Sequence, residues 1–518
     1  MPMMPMMPTS FLRTAWVAIP PAAAATARRL ADRRAGATVT ATVRRRHGAS
    51  QRLAMAIAAL VLLAGCASGS YTRPALDVPT DWQQAPAAVG ATTPTRDAAA
   101  LAPWWQRFGD ARLDRLVEQA LARNNDLAVA ALNVRQAQLN TGLAGNPVAF
   151  GPEASLGASN AQRLDDGGVT RHRSSSVQAG VSYSVDLWGR LALQRDIAQW
   201  ALQATEADRQ TIRLNLIGTT ADLYWQLSYL NQQLVLGQQS LRTAERTQQL
   251  VQAQYAAGAV SSLELREAEQ SVLAQRSSLS QLRQTQVEIR NALALLFDAA
   301  PGAAVLAQVL GDEPQALPTG AMPPVDEGLP AELLARRPDL RAAELDLRQV
   351  LANIDVVRTS YYPTLSLTGA VGAASSSLGS VLANPVATLG AGLNLAFLDV
   401  NGMRINNALA RVQYESAVVQ FRQTLYQAFA DVENALSARS RLAEQAELLA
   451  QRLQAAREAE RLYEIRYRAG AVALRIWLDA QEARRSAELG LAQVQLNRLR
   501  NQITLYQAMG GDTTRAAS

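Results

Sequence analysis

Cysteine and histidine are almost missing from this chain. Its 518 residues include one cysteine, Cys66, and two histidines, His47 and His172. A single cysteine makes no internal disulfide, and two distant histidines lack the ligand spacing of a metal cage. No glycine-rich phosphate loop is visible, and no nucleophile stands in a pattern with a histidine, so no enzyme is expected. His172 is expected in a solvated surface loop. Also missing is any later apolar run of 18 residues, which excludes a transmembrane helix. A chain of this kind that crosses a membrane must do so as a closed β-barrel.

What positive charge there is lies at one end. The whole chain carries +6, but residues 1–65 hold nine arginines and one aspartate. Without that segment the remainder is slightly acidic, at −2, so the basic balance does not point to nucleic acid. Arg44, Arg45, Arg46 and Arg52 precede the apolar run Leu53 to Gly65, which is too short to span a bilayer and suits a signal-peptide core. The run ends in Leu63-Ala64-Gly65-Cys66, which resembles the bacterial lipobox. That resemblance implies cleavage before Cys66 and a diacylglycerol on its thiol, completed by an N-acyl chain. Ala67, where an inner-membrane retention signal would carry Asp, fits export to the outer membrane.

An internal duplication organises the rest. "DLAVAALNVRQAQLN" from Asp126 pairs with "DLRAAELDLRQVLAN" from Asp339 at an offset of 213, with seven identities in fifteen. "DLWGR" from Asp186 pairs with "DVNGM" from Asp399, and "YAAGAV" from Tyr255 with "YRAGAV" from Tyr467. The expected division is leader and signal peptide 1–65, lipidated linker 66–105, first repeat 106–297, linker 298–330, second repeat 331–511 and tail 512–518.

Each repeat reads as an opening helix, near 112–143 or 331–360, then two short strands, a very long helix, a glycine turn and a return helix. The first strands fall near 148–160 and 363–374, with a turn at Asp165-Asp166-Gly167-Gly168. In "VQAGVSYSVDL", Val177, Ala179, Val181, Tyr183, Val185 and Leu187 alternate with small or polar residues. In "LGAGLNLAF", Leu389, Ala391, Leu393, Leu395 and Phe397 do the same. Such a dyad suits a barrel strand, apolar to lipid and polar to a lumen. A sandwich strand with one wet face is the alternative. Four strands do not close a barrel, which needs about eight, so copies must pool their strands. No proline interrupts Arg190 to Ala257 or Met403 to Ala469. Each of these helices could run about 100 Å. Gly218 and Gly237 are expected to bend the first. The return helices, 259–297 and 471–509, are shorter by roughly the opening helix, so the two are expected to stack end to end. A rod-like coiled coil without a lumen is the rival.

Together "VSYSVDLWGR", "NALALLF", "RRPDLRAAE", "AGLNLAFLDVNG" and "YRAGAVALRIWLDAQ" resemble the TolC-like outer-membrane efflux proteins, and the lipobox their NodT/OprM-type lipoprotein branch. The resemblance covers about 101–511. It implies an α+β channel: a homotrimer whose four strands per chain make a twelve-stranded transmembrane barrel, continued by a long periplasmic α-helical barrel. It implies a periplasmic adaptor and an inner-membrane resistance-nodulation-division pump as partners, outer-membrane lipid around it, and no nucleic acid. Gly258 and Gly470 become the periplasmic tip turns. Asp479 matches an acidic constriction ring, and Asp479→Ala is expected to weaken cation preference. Arg475 stands where the family often has an aliphatic gate, and can pair with Asp479 at i, i+4. Leu263 and Glu267 hold the equivalent places in the first repeat. A type I protein-secretion duct is the alternative within the channel class.

Overall fold

A computed structural model of the chain describes residues 71–74, 78–84, 103–145, 151–162, 171–302, 305–325, 330–383 and 385–511. Cys66, the turn at 165–168 and the tail 512–518 lie outside the described residues. The described residues all belong to one compact unit, Ser68–Ser518.

The opening helix of the first repeat is two helices, α1 (Ala111–Arg123) and α2 (Asn125–Gly145). Asn124 makes the break. Its backbone is extended, its Oδ1 accepts from the Leu127 amide at 3.1 Å, and α2 starts from that cap. Strands β1 (Gly151–Gln162) and β2 (Arg171–Val185) follow, then the long helix α3 (Arg190–Ala256) and its return α4 (Ser262–Leu296). The backbone of His172 lies in β2, paired with Ala161, rather than in a loop. The hairpin arms run further toward their turn than the apolar dyad alone suggests.

A short α5 (Val305–Leu310) leads to the second repeat. Here too the opening helix is broken, into a 3-10 turn at Pro330–Glu332, α6 (Leu333–Arg336) and α7 (Pro338–Ser360). Arg337 precedes a proline and is held extended, with φ −80° and ψ 120°, so α6 must stop and α7 starts with Pro338 at N1. Strands β3 (Thr364–Ser375) and β4 (Pro385–Asn394), the long α8 (Val400–Arg468) and its return α9 (Leu474–Ala508) complete the chain. β4 ends before Leu395 and Phe397, which fall at a 3-10 turn, Ala396–Leu398. That turn swings the chain into α8, where the Asp399 carboxylate caps the Gly402 amide at 2.9 Å.

α3 runs unbroken through Gly218 and Gly237. Both glycines permit close packing. A Cβ at Gly218 would overlap the Gln507 amide, and one at Gly237 would sit 2.9 Å from Leu279 Cδ2. In both repeats the opening helix begins where the return helix ends. Asn124 Nδ2 donates to the Leu296 carbonyl at 3.3 Å, and Arg337 donates to the Ala508 carbonyl at 3.3 Å. The helices pack in the order α2, α3, α7, α8, which leaves α2 and α8 as the outer members.

Two hydrophobic clusters lie at these joints. One gathers Trp104, Leu113, Tyr224, Trp225, Phe297 and Ile503. The other gathers Trp82, Leu340, Leu425, Phe429, Val432 and Leu505. Residues 71–74 and 78–84 are strapped across the second repeat. Arg73 pairs with Glu344 at 2.6 Å, Arg348 lies 4.7 Å over the Tyr71 ring, and Trp82 packs edge-on to Phe429. Burial alone would raise the Glu344 carboxyl, but hydrogen bonds from Arg73 and Arg348 hold it below the usual range.

Candidate functional site

Two parts of the molecule are candidates: the strand wall and the helical tips. The four strands form one antiparallel sheet in the order β1-β2-β3-β4. Its register sorts the side chains cleanly. Leu156 faces Val177, Tyr183 faces Leu367, Leu365 faces Leu393 and Val371 faces Ala387, all on one side. Ser155 faces Gln178, Ser366 faces Gly392 and Thr368 faces Gly390 on the other. One face is therefore apolar yet open, with Leu389 92% exposed, and the other is small and polar. Among the described residues β1 and β4 are each paired on one side only. At the base of the sheet Trp188 packs against Tyr362, and its indole N–H donates to the Pro363 carbonyl at 2.8 Å. An apolar band with aromatics at its rim is the pattern of a wall that meets lipid.

The outer helices carry matching free stripes. On α2, Val129, Leu132, Leu139 and Leu143 point away from α3; on α8, Ile405, Leu409, Val412 and Val419 are likewise exposed. Spacings of three and four make each stripe a coiled-coil seam without a partner among the described residues.

At the tips, α3 and α8 both end in complete Schellman turns. Gly258 (φ 73°) donates to the Tyr255 carbonyl and Ala259 to Gln254; Gly470 (φ 72°) donates to Tyr467 and Ala471 to Arg466. The two turns meet around one small cluster of Val251, Ala268, Tyr467, Leu474 and Trp477, edged by Val260 and Val472. Tyr467 stacks on Trp477 at 5.2 Å and its hydroxyl donates to Gln254 Oε1 at 2.8 Å, which ties hairpin to hairpin. Asp479 lies in the second turn of α9, and both its carboxylate oxygens accept from Arg475 Nε, at 3.0 and 3.3 Å. Leu263 is 65% exposed at the start of α4, and Glu267 is half-buried one turn on. No hydrogen bond or ion pair among the described residues joins either to the Arg475–Asp479 pair.

Sequence reasoning missed Arg337. It bridges Asp339 at 2.6 Å and Asp431 at 3.3 Å besides the Ala508 carbonyl, so α7, α8 and α9 share one guanidinium. Burial alone would lower its pKa, but the two carboxylates more than offset this and raise it. The motif "RRPD" entered only as part of a family resemblance; the partners lie too far along the chain to be legible. Among the described residues no group of three or more His, Cys, Asp or Glu could hold a metal.

Comparison with known proteins agrees with this geometry. The family model for "Outer membrane efflux protein" matches residues 116–297 and 329–511. The pyoverdine export outer membrane protein OpmQ of Pseudomonas putida is 34% identical over 468 residues, covering 87% of this chain and 95% of the relative. The toluene efflux pump outer membrane protein TtgC of Pseudomonas putida is 29% identical over 476 residues, covering 89% and 95%. The open-state MtrE outer membrane channel of Neisseria gonorrhoeae superposes with a TM-score of 0.71 at 28% identity, covering 86% of this chain and 98% of that one. With a two-faced sheet, unpaired strand edges and long helical hairpins already in view, the chain belongs to the outer membrane efflux protein family, and its fold is that of a trimeric outer-membrane channel in which four strands per copy build a barrel continued by helices.

Proposed function

We propose that the chain is the passive exit duct of a tripartite exporter. A periplasmic adaptor and an inner-membrane pump of the resistance-nodulation-division type would load it at the tips, and it would carry out no bond chemistry. The cargo class is small and chemically varied; the names of two relatives mention a pyoverdine and toluene. The observation that carries this reading is the sheet itself, with one apolar face, one polar face and two edges waiting for strands from neighbouring copies. Gly258 and Gly470 would set the periplasmic end, and Asp479, Arg475, Glu267 and Leu263 its aperture.

Lipid anchoring through Cys66 belongs to the same proposal. Tyr71 is held beside Arg348. Five residues of extended chain reach at most about 18 Å, and α7 rises about the same distance from Arg348 to Ser360. That reach ends near the Trp188–Tyr362 rim, where a lipid chain could enter the bilayer.

The experiment is ion conductance of the purified trimer in a planar bilayer. Steady openings are expected. A protein that stays monomeric in detergent and never conducts would sink the reading.

A further inference from the structure

α9 has a covered and an uncovered face. Gln502 donates to the Pro323 carbonyl at 3.1 Å and Tyr506 to the Pro324 carbonyl at 3.2 Å, so the inter-repeat segment lies over that side. The N-terminal strap lies over the neighbouring stretch of α8, where the amides of Gln83 and Gln84 donate to Glu433. In a ring of three copies these connecting segments belong outside, because the strap leads to the anchored N-terminus. At roughly 100° per residue, Asp479 comes out about half a turn from Gln502 and Tyr506, on the uncovered face. The cluster at the tips buries Leu474 and Trp477 but leaves Arg475 68% and Asp479 59% exposed.

The two opposite charges are therefore presented together, one helical turn apart. Arg475 is also the second residue of α9, where the free amides of the helix start already add partial positive charge. Ala473, at the N-cap, offers no side chain to neutralise those amides. A few residues before the turn, Arg466 is exposed and has no ion pair among the described residues. Arg468, by contrast, is matched by Glu464 at 2.6 Å.

We propose that Arg475 sets the charge selectivity of the duct by cancelling Asp479, so that this pair adds no net charge to the aperture and does not act as an acidic ring. This rests on the duct reading above and deepens it: anionic and zwitterionic solutes meet no barrier of like charge from Asp479. The cancellation does not depend on one rotamer. An exposed pair of this kind contributes little to stability. Both charges nonetheless stay well within a Debye length of about 10 Å at 0.1 M salt, and act on a passing ion as a dipole.

The test is the reversal potential of the bilayer channel in a potassium chloride gradient, for four forms of the protein. The wild type should reverse between the two single variants. R475L should shift toward the cation limit, D479N toward the anion limit, and the double variant should return to the wild-type value. A wild type that is strongly cation-selective, with R475L unchanged, overturns the proposal while leaving the duct intact. Absence of conductance in all four forms overturns the duct reading, and the proposal with it. A mere structural role for Arg475 predicts altered stability without the opposite shifts of the two single variants.

Discussion

The two repeats solve one joint with different chemistry. Asn124 and Arg337 occupy equivalent places, each between an opening helix and the end of a return helix. Asn124 caps α2 with a neutral amide and reaches the Leu296 carbonyl. Arg337 reaches the equivalent Ala508 carbonyl but adds two carboxylates from α7 and α8. The tips diverge the same way. Ser261 and Glu264 form a full capping box at the start of α4, whereas Ala473 caps nothing at the start of α9. A duplicated backbone plan thus fixes where an end must be satisfied and leaves open which side chain does it.

Removing the joints should separate the repeats most clearly. Arg337→Ala strands Asp339 and Asp431 beside a mostly buried site, and should cost about 3 kcal/mol. Asn124→Ala should cost about 1 kcal/mol, the usual loss for a helix cap. Thermal unfolding of the detergent-solubilised protein measures both; equal losses would erase the contrast. At the tips the repeats should instead agree. A Cβ at Gly258 or Gly470 meets nothing within 4 Å, so Gly→Ala at either place costs only the left-handed backbone strain, about 1–2 kcal/mol. Hydrogen exchange confined to the turn amides would show it.

A smaller effect tests the cap asymmetry. Ser261→Ala should loosen the first turn of α4 by about 1 kcal/mol, and Ala473→Ser should tighten that of α9 by up to a similar amount. Exchange rates of the first-turn amides read both directly.

The gentlest probe is acid. Glu344 has a folded pKa depressed by Arg73 and Arg348, so its contribution is complete above the ordinary carboxylate range and fades only as pH falls through the lower folded value. The strap should hold at neutral pH and release in strong acid, seen as tryptophan fluorescence from Trp82 as it leaves Phe429. Release between pH 6 and 8 would assign the strap to some other group.

Features set by local periodicity were legible in the sequence. The dyads around Val177 and Leu389 marked the sheet, and "YAAGAV" and "YRAGAV" marked both turns with their left-handed glycines. Features set by distant partners were not. Asn124 and Leu296 are 172 residues apart, and Arg337 and Ala508 171, so nothing in a local window reports either joint. The close packing at Gly218 and Gly237 was not legible because the side chains that need the space, Gln507 and Leu279, belong to other helices. For Arg475 and Asp479 the spacing alone gave the contact, since four residues on a helix are neighbours.

The open edges of β1 and β4 bear on how the protein reaches its membrane. A lone copy entering hydrocarbon would carry two rows of unpaired amides and carbonyls, each costing several kcal/mol. The chain is therefore barred from inserting singly. Association must precede or accompany insertion, with a rate that rises steeply with protein concentration, and a shortage of chains would leave unassembled copies rather than incomplete pores.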